Sequence, residues 1–428
     1  MIVSSHQQPG LIVTDHQFDI PLDHTLPGGA TITVFARELI PVENPECKKP
    51  YIVYLQGGPG FECRAPVTRS GWINTALQKY RVLLIDQRGT GNSSPISNQT
   101  LSHLGGPREQ AQFLSLFRAD SIVKDFEYIR KQLIGDRKWT ILGQSFGGFC
   151  AVHYLCAAPE GLEAVMITGG LPPLSGHADK VYEKTSKRVI NRNKRYYNRY
   201  SNDKVLVKRV VEYLDANHVL LPSGTILTPR VFQQLGMGLG RSTGFETLHY
   251  LLESAFVNGG RGPELSYRFL RGVENQLPFE TNPIYALLHE AIYCQNEASN
   301  WSAYRITNPI VDYNLDRDTV YFTGEMVFPW MFEDYKQLRS LATTAEILAQ
   351  KSDWANLYDV EILQGNQVPC AAVVYDEDMY VEREWSVQTA EMINGLRVWT
   401  TNEYDHNGLG VDGSKIFEHL SDLVVGNR

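Results

Sequence analysis

No stretch of the 428 residues reaches the run of about 18 apolar side chains that a membrane-crossing helix needs, so no membrane partner is expected. A surplus of positive charge is missing too. Forty Lys and Arg stand against 48 Asp and Glu, the wrong balance for a chain that must neutralise phosphates, and no nucleic-acid partner is expected. Cysteines are few (Cys47, Cys63, Cys150, Cys156, Cys294 and Cys370) and none forms a C-x-x-C pair. That pattern offers neither a zinc site nor a disulfide framework and suits the reduced thiols of a cytoplasmic protein. Between Met1 and Asp15, His6, Pro9 and Asp15 interrupt the apolar stretch an export signal would need. Repeats and low-complexity linkers are absent. So are the G-K-[ST] and G-x-G-x-x-G patterns of phosphate-binding loops, and no cofactor or metal is expected.

The chain is long for one core, which predicts a catalytic-sized core plus a second lobe. Two blocks of α/β pattern flank a different middle. In the first block Thr31 to Glu38 alternates like an exposed strand, whereas Tyr51 to Leu55 and Arg81 to Ile85 are near-continuous apolar runs suited to buried parallel strands. Ser121 to Leu133 has helical spacing, Trp139 to Leu142 reads as a strand, Gly147 to Ala158 as a helix and Ala164 to Thr168 as a strand. The alternation returns with strand Pro369 to Tyr375, helix Trp385 to Ile393, strand Leu396 to Thr400 and helix Ile416 to Val425. Between the blocks lie helical patterns such as Val205 to Leu214 and Phe245 to Phe256. The expectation is a mostly parallel sheet with helices on both faces, formed by residues 1–171 and 366–428, with a mainly helical cap, 172–365, inserted in it.

The segment Gly143-Gln144-Ser145-Phe146-Gly147-Gly148 follows the run Trp139 to Leu142 and opens a helix. This strand, turn and helix order is the setting of a G-x-S-x-G nucleophile elbow and predicts an α/β-hydrolase fold with Ser145 as nucleophile. Glycines flank the serine because the turn leaves no room for side chains. A serine hydroxyl needs a general base, and in this fold a histidine late in the chain supplies it. His406, in the polar turn Glu403 to Gly408, fits; His419 lies in a helical pattern. The orienting acid should follow strand Pro369 to Tyr375, where Asp376 and Asp378 both qualify. Gln56-Gly57-Gly58-Pro59-Gly60 follows an early strand, so the oxyanion hole is assigned to the N–H groups of Gly58 and Phe146. The basic stretch Lys184 to Arg199, interleaved with Tyr196 and Tyr197, reads as a solvated helix face.

Gly57-Gly58-Pro59-Gly60, Asp86-Gln87-Arg88-Gly89-Thr90-Gly91-Asn92-Ser93 and the serine motif together resemble the proline iminopeptidases, in their larger subgroup. The resemblance implies a serine aminopeptidase acting on small peptides with a free N-terminus, preferring proline. Its register places the acid at Asp378, ahead of Met379-Tyr380-Val381. It implies that cap carboxylates bind the substrate's amino group: Glu290, in Glu290-Ala291-Ile292-Tyr293, and as second candidate Glu325. Tyr293, Trp301, Phe328 and Trp330 are candidates for a pyrrolidine pocket or for plain core. Gln56 stands where the family commonly has histidine and Phe146 where it has tryptophan; backbone donors survive both changes. An esterase or amide hydrolase of the same fold is the alternative, and the oligomeric state stays open.

Overall fold

The computed structural model describes residues 1–260, 262–310 and 313–426. In these residues nine strands form one sheet in the order β1-β2-β3-β5-β4-β6-β7-β10-β11, and a hairpin, β8 and β9, stands apart. The strands are β1 Ile2–Gln8, β2 Leu11–Pro21, β3 Thr31–Pro41, β4 Tyr51–Leu55, β5 Arg81–Ile85, β6 Trp139–Gln144, β7 Leu162–Thr168, β8 Phe256–Gly259, β9 Gly262–Leu265, β10 Cys370–Tyr375 and β11 Leu396–Thr401. From β5 to β11 every pairing in the large sheet is parallel, while β1, β2 and β3 join antiparallel at one edge.

The apolar runs explain why the middle strands sit in the centre. Successive side chains point to opposite faces, so a strand covered on both must be apolar throughout. Val53, Leu83, Ile141, Val165 and Ala372 fill one side with helices Ala119–Ile134 and Phe146–Ala157. Ile52, Val82, Leu142, Met166 and Val373 fill the other, under helix Gly413–Val425. Burying a side chain of this size contributes about 1.5–3 kcal/mol. The hairpin β1–β2 carries a weaker signal. It turns at Pro9-Gly10, where Gly10 takes φ +77°, and β2 buries Leu11, Val13, Phe18 and Ile20, but β1 is exposed almost throughout.

β7 and β10 are neighbours in the sheet although residues 169–369 separate them. That insertion is mainly helical, with long helices Ala178–Arg199 and Asp203–Ala216. One local reading changes. The helix expected to reach Phe256 stops at Glu253, because Phe256–Gly259 pairs antiparallel with Gly262–Leu265, Phe256 against Leu265 and Val257 against Glu264. Helix Val360–Gln364 packs back on Phe146–Ala157 and Arg383–Met392. The β7–β10 arrangement brings the turns after β6, β10 and β11 to the carboxyl end of the sheet, where an open α/β sheet holds its site.

Candidate active site

Ser145 lies between the end of β6 and helix Phe146–Ala157, with φ +54° and ψ −127°. Residues with side chains rarely adopt positive φ, and here tight packing enforces it. A Cβ on Gly147 would overlap the Leu55 carbonyl, and one on Gly143 would overlap the carbonyl of Gly147. Both motif glycines are therefore steric necessities: β4, β6 and the helix approach more closely than a methyl group permits. Ser145 donates its N–H to the Thr168 carbonyl at 3.0 Å, and its own carbonyl accepts from Gly148 at 2.7 Å. Phe146 opens the helix, at the positive end of its dipole.

The loop after β4 closes on the serine. A Cβ on Gly57 would come within 3.0 Å of the Ser145 Cβ, and Gly58 follows, joined to Pro59 by a cis peptide. The segment after β5 braces this loop. Gln87 donates its amide to the Gln56 carbonyl at 2.9 Å, and Asp86 accepts N–H bonds from Cys63 and Asn92, each at 3.0 Å. Burial pushes the Asp86 carboxyl up to about 6 against those two bonds. Arg88 turns into the core, meeting Asp125 with two hydrogen bonds of 2.7 and 2.5 Å and the Leu22 and Leu116 carbonyls at 2.9 and 2.6 Å.

His406 Nδ1 and Asp378 Oδ2 stand 2.6 Å apart. The other oxygen of this buried aspartate accepts N–H groups of Tyr380 at 2.8 Å and Val381 at 3.1 Å. Asp376 pairs instead with Arg383 at 3.3 Å, half exposed, and His419 stacks on Trp399 with ring centres 4.2 Å apart. Two observations bring His406 to the elbow. Gln144, next to Ser145, donates its amide to the His406 carbonyl at 3.5 Å. A Cβ on Gly169 would lie 3.3 Å from His406 Nδ1, and one on Gly170 would overlap the Ser145 carbonyl. Burial pulls the imidazole pKa down, but the charge and hydrogen bond of Asp378, joined by the charge of Glu325, outweigh it and hold His406 above its ordinary value.

The two cap carboxylates differ. Glu290 is buried, with Oε1 accepting from Ala303 N–H at 2.8 Å and Oε2 from Ser302 N–H at 3.1 Å, so both oxygens serve the first turn of helix Ser302–Thr307. Burial raises its pKa despite these bonds. Glu325 accepts the hydroxyl hydrogen of Tyr285 and lies 4.0 Å from His289 Nε2. Tyr285 packs edge-on against Phe61, ring centres 5.0 Å apart, just beyond the glycine loop. Of the four aromatic candidates, Tyr293 packs on Phe149 behind the elbow, at 5.8 Å. Trp301 bonds to Glu346, and Phe328 stacks on Trp330, which Arg230 covers.

The basic stretch is solvated only in part. Lys187, Lys194 and Arg199 are exposed, but Arg192 is buried and reaches Asp405. Sequence reasoning missed Arg192 and Tyr285, whose partners lie far off along the chain.

Residues 50–223 match the family model for the alpha/beta hydrolase fold. Over 414 residues the chain is 47% identical to a proline iminopeptidase of Aeromonas sobria, covering 96% of each. The chain belongs to the proline iminopeptidase family. A second proline iminopeptidase, from Aspergillus aculeatus, is 38% identical over 428 residues, 97% of this chain and 94% of that one. The proline iminopeptidase of Lactobacillus helveticus aligns over 136 residues at 31% identity, 30% of this chain and 38% of that one. The expected hydrolase fold and family are both met. No helix among the described residues is long and apolar enough to cross a membrane.

Proposed function

We propose that this chain is a serine aminopeptidase that releases an N-terminal residue, proline by preference, from small peptides with a free N-terminus. Ser145 attacks the first carbonyl carbon while His406 takes the hydroxyl proton. Asp378 fixes the Nδ1–H tautomer and stabilises the imidazolium. The N–H groups of Gly58 and Phe146 receive the oxyanion. His406 then returns the proton to the departing amine, and water, activated by the same imidazole, releases the acyl group from Ser145. Membership of the proline iminopeptidase family supports this reading.

Glu325 carries the aminopeptidase part of the proposal. Its carboxylate is joined to Tyr285, whose ring packs on Phe61 beside the glycine loop, so an ammonium paired with it would lie on the side of that loop. Glu290 has both oxygens engaged by backbone N–H groups and is assigned to holding the cap, 172–365, in shape. A closed site with one carboxylate counts one residue from the N-terminus, because an acylated amine brings bulk and no charge.

The test compares Glu325→Gln on a prolyl anilide and on a simple acyl ester, above the pH at which His406 deprotonates. A charged hydrogen bond of about 1.5–3 kcal/mol predicts a loss of roughly 10- to 100-fold on the anilide. The ester rate should stay within about threefold, because it uses no ammonium. Equal losses on both would reject amine recognition and favour an esterase or amide hydrolase. Glu290→Gln should lower stability and affect both substrates alike.

A further inference from the structure

The arginines of the cap helix Ala178–Arg199 face the two loops that carry the acid and the base. Arg188, Arg192 and Arg195 recur at spacings of four and three, which puts them along one side of the helix. Arg188 donates to the Asp376 carbonyl at 3.3 Å and to Glu382 at 2.7 Å. Arg192 donates to the Glu377 carbonyl at 3.4 Å and to the Asp405 carboxylate. Arg195 pairs with Glu377. Asp378 is thus bracketed by residues that the cap helix holds, and Glu382 in turn caps helix Arg383–Met392 by accepting from Glu384 and Trp385 at 2.7 and 3.2 Å.

His406 is gripped on both sides. Asp405 before it takes Arg192. Asn407 after it accepts the N–H and the hydroxyl of Ser242, both at 3.0 Å, from another part of the inserted segment. The side chain of Arg192 is only 7% exposed and stands over the ring of Phe245 at 5.9 Å, so it has little freedom to follow a loop that moves.

We infer that Arg192, with Ser242, is a positioning residue: the cap fixes the histidine loop at Asp405 and Asn407, so docking of the cap and assembly of the Ser145–His406–Asp378 site are a single event. The cap then has two tasks, holding the substrate's amino end and completing the catalytic geometry. A misplacement of about 1 Å at a reacting group costs on the order of 100-fold in rate, and the bonds at Asp405 and Asn407 tie the loop to the cap. The inference rests on His406 being the base.

The test measures kcat and KM on a prolyl anilide, together with the rate of fluorophosphonate labelling, for Arg192→Met, Arg192→Lys, Asp405→Ala, Arg192→Met with Asp405→Ala, and Ser242→Ala. The expected result is a fall of roughly 10- to 100-fold in kcat for Arg192→Met, with KM within about threefold and labelling slowed in parallel. Asp405→Ala should behave alike, the double variant no worse than the poorer single one, and Arg192→Lys should recover part of the rate. Lys184→Ala, which removes an exposed cap-to-core ion pair with Glu384, should leave kcat unchanged. Wild-type kcat and labelling in Arg192→Met, or a loss confined to KM, would overturn the inference. If Arg192→Met does not fold, Ser242→Ala and Arg192→Lys decide it: both must lower kcat with melting temperatures near wild type. Failure of wild-type protein to label would instead count against the triad itself.

Discussion

Replacing Asp378 by asparagine puts the triad under a specific strain. One oxygen of Asp378 accepts two backbone N–H groups, from Tyr380 and Val381, and the other faces His406 Nδ1 at 2.6 Å. An asparagine amide must turn its oxygen toward the two N–H donors, because an NH2 group there would leave them unpaired in a buried site. Its NH2 then points at His406 Nδ1 and forces that nitrogen to accept. The proton moves to Nε2, and the ring can no longer take one from Ser145. The imidazolium also loses its partner charge. A wrong tautomer in such a triad costs about 10³- to 10⁴-fold in kcat, or about 4 to 5.5 kcal/mol in the barrier. Turnover of a prolyl anilide, with the fold checked by circular dichroism, provides the assay. Asp376→Asn serves as the comparison, since Asp376 pairs with Arg383 at the surface, and it should stay within about threefold. Asp378→Asn retaining more than a tenth of wild-type kcat would refute the reasoning.

The base must be neutral to act, and Asp378 and Glu325 hold His406 above its ordinary value despite burial. The acid limb of kcat/KM should therefore inflect above the ordinary histidine value of about 6.5, with activity rising through it. Glu325→Gln removes one raising charge and should move the limb to lower pH; an unmoved limb would contradict the assignment. Asp125→Ala leaves Arg88 charged, buried and without its carboxylate, so equilibrium denaturation should show a loss of about 3–5 kcal/mol; a loss below about 1 kcal/mol would contradict the role given to that pair. Gly147→Ala drives a methyl group into the Leu55 carbonyl and should abolish activity or soluble expression, whereas wild-type kinetics would disprove the steric account of the elbow.

The central strands were legible because a strand buried on both faces must be apolar along its length, as at Tyr51–Leu55 and, after Arg81, in the rest of Arg81–Ile85. The elbow was legible because its glycines answer to backbone geometry within a few residues. Hairpin β1–β2 escaped notice because β1 buries almost nothing and leaves no periodic trace. The resemblance placed Glu290 ahead of Glu325, and nothing in composition or spacing pointed to the opposite order. What separates them is that two N–H groups of helix Ser302–Thr307 already occupy Glu290, a contact that only folding creates. Arg192 and Asp405 are 213 positions apart, and a basic helix whose partners lie that far off looks the same in sequence as one facing water.

Fluorophosphonate labelling of the intact protein, followed by mass spectrometric mapping of the modified peptide, asks directly whether the elbow serine is an activated nucleophile. One phosphonyl group per chain, on Ser145, and none after His406→Ala is the predicted outcome. Folded protein that stays unlabelled, or that carries the group on another residue, would contradict it.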